Sequence, residues 1–333
     1  MSGDTQDPLE LIGKTIADKY LIKSIVGAGG FSTVYRAEHL IWKQDVAIKC
    51  FTVLQGAKTV QRDQLLEDFI QEGKLMSELS SRSAAIVQAR DIGKLEIGDG
   101  QWVPFMVLEW IDGKPLNALL ADERNSGMPA RTLADALVLL EPVAVAVDMA
   151  HRRNVAHRDL KPANIMVVGD ARSPDVVVKV LDFGIAKIMA NHEQLHEQLK
   201  LTGQQITAFT PNHGAPEQFS RNYGATGPWT DVYAMALIVV EVVRSGLPSL
   251  QGSTFYELGV ASCDDTLRPT PRTLGLTVSD EIEAIFARAV AVRPEERYAT
   301  MGEFWTDLHA QVFPDQATWR GNMRHTVDPK RHS

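Results

Sequence analysis

Cysteine is nearly absent: Cys50 and Cys263 are the only two in 333 residues. Two thiols so far apart in sequence build neither a disulfide framework nor a metal-ligand cluster. They fit a reducing compartment and read as two small buried hydrophobes. Long apolar runs are missing too. Tyr233 to Val243 comes nearest, but it carries Glu241, falls short of the ~18 residues that a membrane span needs, and reads as a buried helix. Met1 to Pro8 is polar and acidic, without the basic and apolar regions of a signal peptide. Positive charge is not in excess, since 34 Lys and Arg stand against 42 Asp and Glu for a net charge of -8. A general nucleic-acid binder needs a basic surface, so that class is excluded, while a local cationic pocket for a nucleotide stays open. These absences predict a cytoplasmic chain with no nucleic-acid partner and no membrane span. No internal repeat is present, and His192 to Gln198 reads as a solvated loop or short helix, not as a metal site.

What remains is an ordinary globular composition, 44% hydrophobic and 23% charged, long enough for one large domain or two lobes. Residues 1–18 read as a polar lead-in. Strand signals follow at Tyr20 to Val26, Thr33 to Ala37 and Asp45 to Phe51, punctuated by Gly27-Ala28-Gly29-Gly30 and Trp42-Lys43-Gln44, as in an antiparallel meander. Leu65, Phe69, Glu72, Met76 and Leu79 recur at helical steps on one face. Two more strand-like runs surround Gly98-Asp99-Gly100. Beyond Asp112-Gly113 the character turns helical, beginning with Leu133 to His151, where Pro142 predicts an irregularity. A strand pair, Ile165 to Val168 and Val176 to Leu181, interrupts helical patterns that run to about Phe313. The reading is a lead-in at 1–18, a small β-rich lobe at 19–111, a larger helical lobe at 112–313 and a polar, basic tail at 314–333.

Gly27-x-Gly29 lies between two strand signals, which counts against a dinucleotide fold, where the glycines open a helix. A glycine-rich hairpin lets backbone amides approach phosphates; taken alone it is equally well read as a plain turn. Lys49 sits inside the apolar strand Val46-Ala47-Ile48-Lys49, and an outward-facing lysine is the commoner reason for that. Glu72, however, falls on the apolar stripe of the next helix, and a carboxylate there is costly unless paired. Each odd placement explains the other. The sharpest stretch is His157-Arg158-Asp159-Leu160-Lys161-Pro162-Ala163-Asn164, which offers a base, a phosphate-binding cation and a metal ligand within six residues. The strand that follows delivers Asp182-Phe183-Gly184, a second carboxylate suited to Mg²⁺ bound to phosphate oxygens.

In these motifs and their order, from about Tyr20 to Phe313, the chain resembles the eukaryotic-type protein kinases, with wording closest to bacterial Ser/Thr members. The resemblance implies an α+β, bilobal protein-kinase fold: a small β-rich N-lobe with one main helix and a larger, mostly helical C-lobe. It implies ATP and Mg²⁺, with Mn²⁺ as a substitute, and protein substrates with Ser or Thr acceptors. Gly27-x-Gly29-x-x-Ser32-x-Val34 matches the Gly-rich loop, with Ser32 in place of the third glycine; Val26 and Gly30 belong to the same nucleotide-contacting set. Lys49 matches the phosphate-binding lysine and Glu72 its partner. Asp159 and Lys161 match the catalytic pair, and Asn164 and Asp182 the metal ligands. Glu109 to Ile111 matches the hinge to adenine, with Leu108 as gatekeeper and Val34, Ala47 and Met166 around the ring. Ala215-Pro216-Glu217 closes the activation segment, Asp231 matches the aspartate that braces the catalytic loop, and Arg297 the partner of Glu217. Ala236 stands where the family often has glycine. Lys161 and Thr210 mark Ser/Thr specificity; Thr202, Thr207 and Thr210 are the candidate phosphate acceptors, and since Thr210 by its distance from Glu217 faces the substrate, Arg158 would dock a phosphorylated Thr202 first or Thr207 second, with autophosphorylation as the source.

Two other readings compete. A pseudokinase scaffold would signal by binding nucleotide, but it usually lacks the lysine, the catalytic aspartate or the metal aspartate, and this chain has all three. A small-molecule kinase of related fold should lack Ala-Pro-Glu and the peptide-docking segment before it.

Overall fold

The computed structural model describes residues 7–29, 32–52, 59–98, 101–183 and 209–315. They divide into two compact units, one from the described residues up to Asp112 and the other from Gly113–Phe183 and the residues from Phe209 onward.

Alternation of apolar and polar side chains builds the first unit. β1 (Thr15–Ile16), β2 (Tyr20–Ala28), β3 (Thr33–His39), β4 (Gln44–Cys50), β5 (Ala89–Gly98) and β6 (Gln101–Glu109) form one sheet in the order β1-β2-β3-β4-β6-β5. Every pairing is antiparallel. β2, β3 and β4 are the expected meander, and α1 (Thr59–Ser80) intervenes before the chain returns. Tyr35, Ala37, Val46, Ile48, Cys50, Phe105 and Val107 occupy one face and make the core. Residues of opposite parity therefore occupy the other face.

The lead-in is more structured than its polarity suggests. Leu11 and Ile16 are buried in the same core. Asp7 accepts a 2.6 Å hydrogen bond from the Tyr35 hydroxyl and 3.3 and 2.9 Å bonds from the amides of Leu9 and Ile12. Burial pushes the Asp7 carboxyl up, but these donors outweigh it and hold it below its ordinary value. Cys50 is fully buried, and burial lifts its thiol to about 12, whereas Cys263 is half-buried.

In the second unit β7 (Lys114–Pro115), β8 (Ile165–Val168) and β9 (Val177–Val180) form a small antiparallel sheet. Gly113 precedes it because a Cβ there would stand 2.5 Å from the Val167 carbonyl oxygen. The helices are α2 (Leu116–Asn125), α3 (Leu133–His151), the single turn α4 (Pro216–Phe219), α5 (Pro228–Val243), α6 (Phe255–Cys263), α7 (Asp280–Ala289) and α8 (Met301–Val312). A capping box starts α3: Thr132 Oγ1 accepts from the Asp135 amide at 3.1 Å, and Asp135 accepts from the Thr132 amide at 2.9 Å. Such a cap contributes about 1 kcal/mol. The irregularity expected at Pro142 does not interrupt the helix. Pro142 removes the donor for the Val138 carbonyl, and Val138 is 58% exposed, so water can serve that oxygen. α5 is buried nearly all round, as the Tyr233 to Val243 run predicted. Among the described residues no helix is long and apolar enough to cross a membrane.

Candidate active site

In the first unit, strand register gathers the residues nominated for nucleotide contact. Gly27 pairs with Val34, Val34 with Lys49, and Lys49 with Met106 across β2, β3, β4 and β6. Ala47 pairs with Leu108 two residues away, which places it on the same face as Lys49. That face lies opposite the core and is covered by α1. Lys49 is only 8% exposed, with its Nζ 5.7 Å from the Phe51 ring. α1 packs on this side: a Cβ at Gly73 would lie 3.8 Å from Met106 Cε, and Phe69 meets Phe51 at 4.9 Å. Glu72 is a residue of α1, but its side chain lies outside the described residues, as does Gly30. Val26 is 54% exposed. The Gly29 amide donates to the Ser32 carbonyl at 2.9 Å, closing the tip of the hairpin. Glu109 is used locally, since its carboxylate and its amide both bond Gln88, at 2.9 and 3.0 Å.

The second unit carries the polar cluster. Asp159 Oδ2 accepts from Lys161 Nζ at 2.8 Å, and Oδ1 accepts from the Thr210 amide at 2.8 Å. Lys161 also donates to the Thr210 hydroxyl. Asn164 Nδ2 donates to the Asp159 carbonyl at 2.9 Å, and the Leu181 amide donates to the Asn164 carbonyl at 2.8 Å. This last bond ties Asn164 to the strand end that leads into Asp182. Asp182 has φ 61 and Arg158 φ 66, in the left-handed region that β-carbons disfavour. At Arg158 two bonds hold it there: its amide donates to Asp231 Oδ1 at 2.7 Å, and its carbonyl accepts from Gln218 Nε2 at 2.8 Å. The Asn164 amide oxygen and Asp182 carboxylate are hard donors fit for Mg²⁺. Among the described residues no three His, Cys, Asp or Glu side chains converge on one point, so a cation here would complete its shell with phosphate and water oxygens. Met166 pairs with Lys179 and Pro115 in the small sheet.

Asp231 braces this cluster. It is fully buried at the start of α5 and accepts from His151 Nε2 at 2.8 Å and from the amides of His157 and Arg158, each at 2.7 Å. Burial would raise its carboxyl, yet the His151 bond, the nearby imidazoles and the Arg158 amide hold it below the ordinary value of 3.8. His151 completes the arrangement by accepting the Met301 amide on Nδ1 at 3.1 Å. His157 repeats it, with Nε2 2.7 Å from the Leu181 carbonyl and Nδ1 accepting the Asp159 amide at 3.3 Å.

A depressed folded value means that Asp231 stabilises the fold above its unfolded value and ceases to do so as pH falls through the folded one. Asp231→Asn should therefore cost about 3 kcal/mol near neutrality by leaving buried donors unmatched. That deficit should hold constant from about pH 7 to 5 and shrink only below pH 4. Urea unfolding across that range checks it; a deficit already shrinking at pH 5 contradicts the ionisation described.

Asp231, Glu217 and Arg297 were nominated by resemblance, and the structure brings Glu217 and Arg297 together. Arg297 Nη1 and Nη2 bond Glu217 Oε1 and Oε2 at 3.0 and 2.9 Å, with both side chains fully buried. Thr230 Oγ1 adds a 2.7 Å bond to Glu217. His151, Gln218, His213 and Glu241 were not found from sequence, because nothing local marks their partners. Thr202, Thr207 and Gly184 lie outside the described residues.

Residues 20–306 match the protein kinase domain family. The chain is 31% identical over 310 residues to serine/threonine-protein kinase pkn3 of Myxococcus xanthus, covering 92% of this chain and 52% of that protein. It is 30% identical over 308 residues to serine/threonine-protein kinase PknL of Mycobacterium bovis, covering 92% and 68%. The chain spans about half the length or less of several such relatives, 52% of pkn3 and 40% of Pkn1 of Myxococcus xanthus. The fold is similar to the kinase domain of Mycobacterium tuberculosis PknI, at a TM-score of 0.62 and 22% identity, covering 90% of this chain and 97% of that one. The chain belongs to the protein kinase domain family, among the eukaryotic-type Ser/Thr protein kinases of bacteria.

Proposed function

We propose that the chain transfers the γ-phosphate of ATP to Ser and Thr hydroxyls of proteins, itself included. The observation that carries this reading is the Asp159–Lys161–Thr210 triangle, a carboxylate and an ammonium held in fixed register beside the segment that would face a substrate. Asp159 orients the acceptor hydroxyl and takes its proton as the oxygen–phosphorus bond forms and the bond to ADP breaks. Lys161 stabilises the transferring phosphoryl group. In the first unit Lys49, held by Glu72, binds the α and β phosphates; Gly27, Gly29, Gly30 and Ser32 approach them through backbone amides; and Val26, Val34, Ala47, Leu108, Glu109 and Ile111 contact the nucleoside. In the second unit Met166 contacts adenine, and Asn164 and Asp182 hold Mg²⁺ or Mn²⁺, which supplies charge neutralisation to the phosphates when bound. Positioning and charge stabilisation provide most of the rate. Activation runs through a phosphate on Thr202 or Thr207, docked on Arg158 by charge-assisted hydrogen bonds. A cytoplasmic setting without nucleic-acid partners is part of the same reading. No observation favours the scaffold alternative, since Lys49, Asp159, Asn164 and Asp182 are all present.

Intact-mass measurement after incubation with ATP and Mg²⁺ tests this. Whole phosphoryl increments should accumulate in the wild type and vanish when Mg²⁺ is chelated. An unchanged mass, together with no transfer to a generic Ser/Thr protein substrate, overturns the kinase reading.

A further inference from the structure

His213 ends a single 3-10 turn, Pro211–His213, three residues beyond Thr210. Its Nε2 lies 2.9 Å from Glu241 Oε2, with the two side chains 11% and 6% exposed. Glu241 is anchored in α5, and its other oxygen accepts the Ser249 amide at 3.1 Å. His213 thus fastens the turn that carries Thr210 to the most buried helix of the unit. Thr210 in turn contacts both Asp159 and Lys161.

The imidazole's other nitrogen sets it apart. His151 and His157 each accept a backbone amide on Nδ1. His213 Nδ1 is buried with no partner. Among the described residues four buried side-chain nitrogens are so placed, and a second is Arg158 Nε. Both residues line one cavity of about 10 Å³, room for a single water. Arg158 Nε–H is always a donor. The neutral imidazole with its proton on Nε2 donates to Glu241 and presents a lone pair at Nδ1, the acceptor that the arginine lacks.

Resting on the kinase reading above, we propose that His213 is a positioning residue for phosphoryl transfer. As the neutral Nε2–H tautomer it bridges Glu241 to Arg158 Nε through one water, and so keeps Thr210 against Asp159 and Lys161. The charged groups facing it are Glu241 from α5, Arg158 and Asp159 from the catalytic loop, and Asp231 from the start of α5. Glu241 accepts the Nε2 proton, and Arg158 supplies a donor. Asp159 and Asp231 are already engaged by Lys161, the Thr210 amide, His151 and the catalytic-loop amides. A proton on Nδ1 would remove that acceptor and set a second donor beside the guanidinium.

Two measurements on the full chain test this. Imidazole nitrogen NMR, which does not depend on activity, should show His213 as the Nε2–H tautomer at pH 8. Steady-state transfer should show kcat for His213→Ala about tenfold or more below wild type at pH 8, as expected when positioning is lost, with KM for ATP unchanged. His213→Gln, whose amide can donate to Glu241 and accept from Arg158, should recover to within about threefold. An imidazolium or Nδ1–H tautomer at pH 8 overturns the proposal, as does kcat for His213→Ala equal to wild type. A kcat for His213→Gln no higher than for His213→Ala also overturns it, and the NMR arm stands even where His213→Ala fails to fold. Absence of transfer by wild type at every pH would instead sink the kinase reading, leaving the NMR result to judge the bridge.

Discussion

Asp159→Asn should lower kcat for autophosphorylation by about a thousandfold, within the range ascribed to a positioned general base. The same variant should melt within a few degrees of wild type. The physical reason lies in the division of labour at this side chain. Asp159 Oδ1 accepts the Thr210 amide, a bond that an asparagine carbonyl can keep. Oδ2 accepts Lys161, and an amide NH₂ there would face the ammonium as a second donor. The variant therefore loses the proton acceptor and misplaces Lys161, while Asp231 continues to hold the catalytic-loop backbone through the His157 and Arg158 amides. Rapid-quench transfer with a thermal melt on the same sample checks both halves. Transfer at wild-type rate removes Asp159 from the chemistry. A collapsed melting temperature would mean that its role is structural.

The second large effect is on stability. Arg297→Met should destabilise the second unit by about 3–5 kcal/mol, the usual penalty when one partner of a buried pair is left uncompensated. Arg297 makes two bonds to Glu217 and donates further to the carbonyls of Ala291 and Val292 at 2.7 and 2.9 Å, with its guanidinium 5.0 Å from the Tyr233 ring. Methionine replaces only the aliphatic stem. Glu217→Gln should cost less, since the amide still accepts from Thr230. The double variant should be less damaging than the sum of the two, because the orphaned carboxylate disappears. Urea unfolding of the four proteins measures the coupling; strict additivity would show that the pair carries no interaction energy.

The parts legible in the sequence are those whose chemistry is local. The catalytic loop packs a base, a cation and an amide between Asp159 and Asn164, and strand parity alone sets Val34, Ala47 and Lys49 on one face, away from Tyr35, Val46 and Ile48. Helix α3 was bounded correctly by its apolar run, although the irregularity expected at Pro142 was absorbed on an exposed side. The roles of Asp231 and Arg297 came from resemblance, since their partners lie 80 residues away in each case, at His151 and Glu217.

By itself the sequence determined the change from β-rich to helical character near Asp112, strands β2 to β4 and helix α3, and the set of chemical groups within each short motif. Period-two and helical spacing, glycine and proline punctuation, and adjacent polar residues all act over a few positions, where chain connectivity leaves little freedom. Only the tertiary structure decided which buried polar groups satisfy one another. Asp7 with Tyr35, Asp231 with His151, and Glu241 with His213 are pairs across 28, 80 and 28 positions. No periodicity announces such pairs. Each exists because a buried donor or acceptor without a partner is expensive, and the fold that matches them is the one that persists.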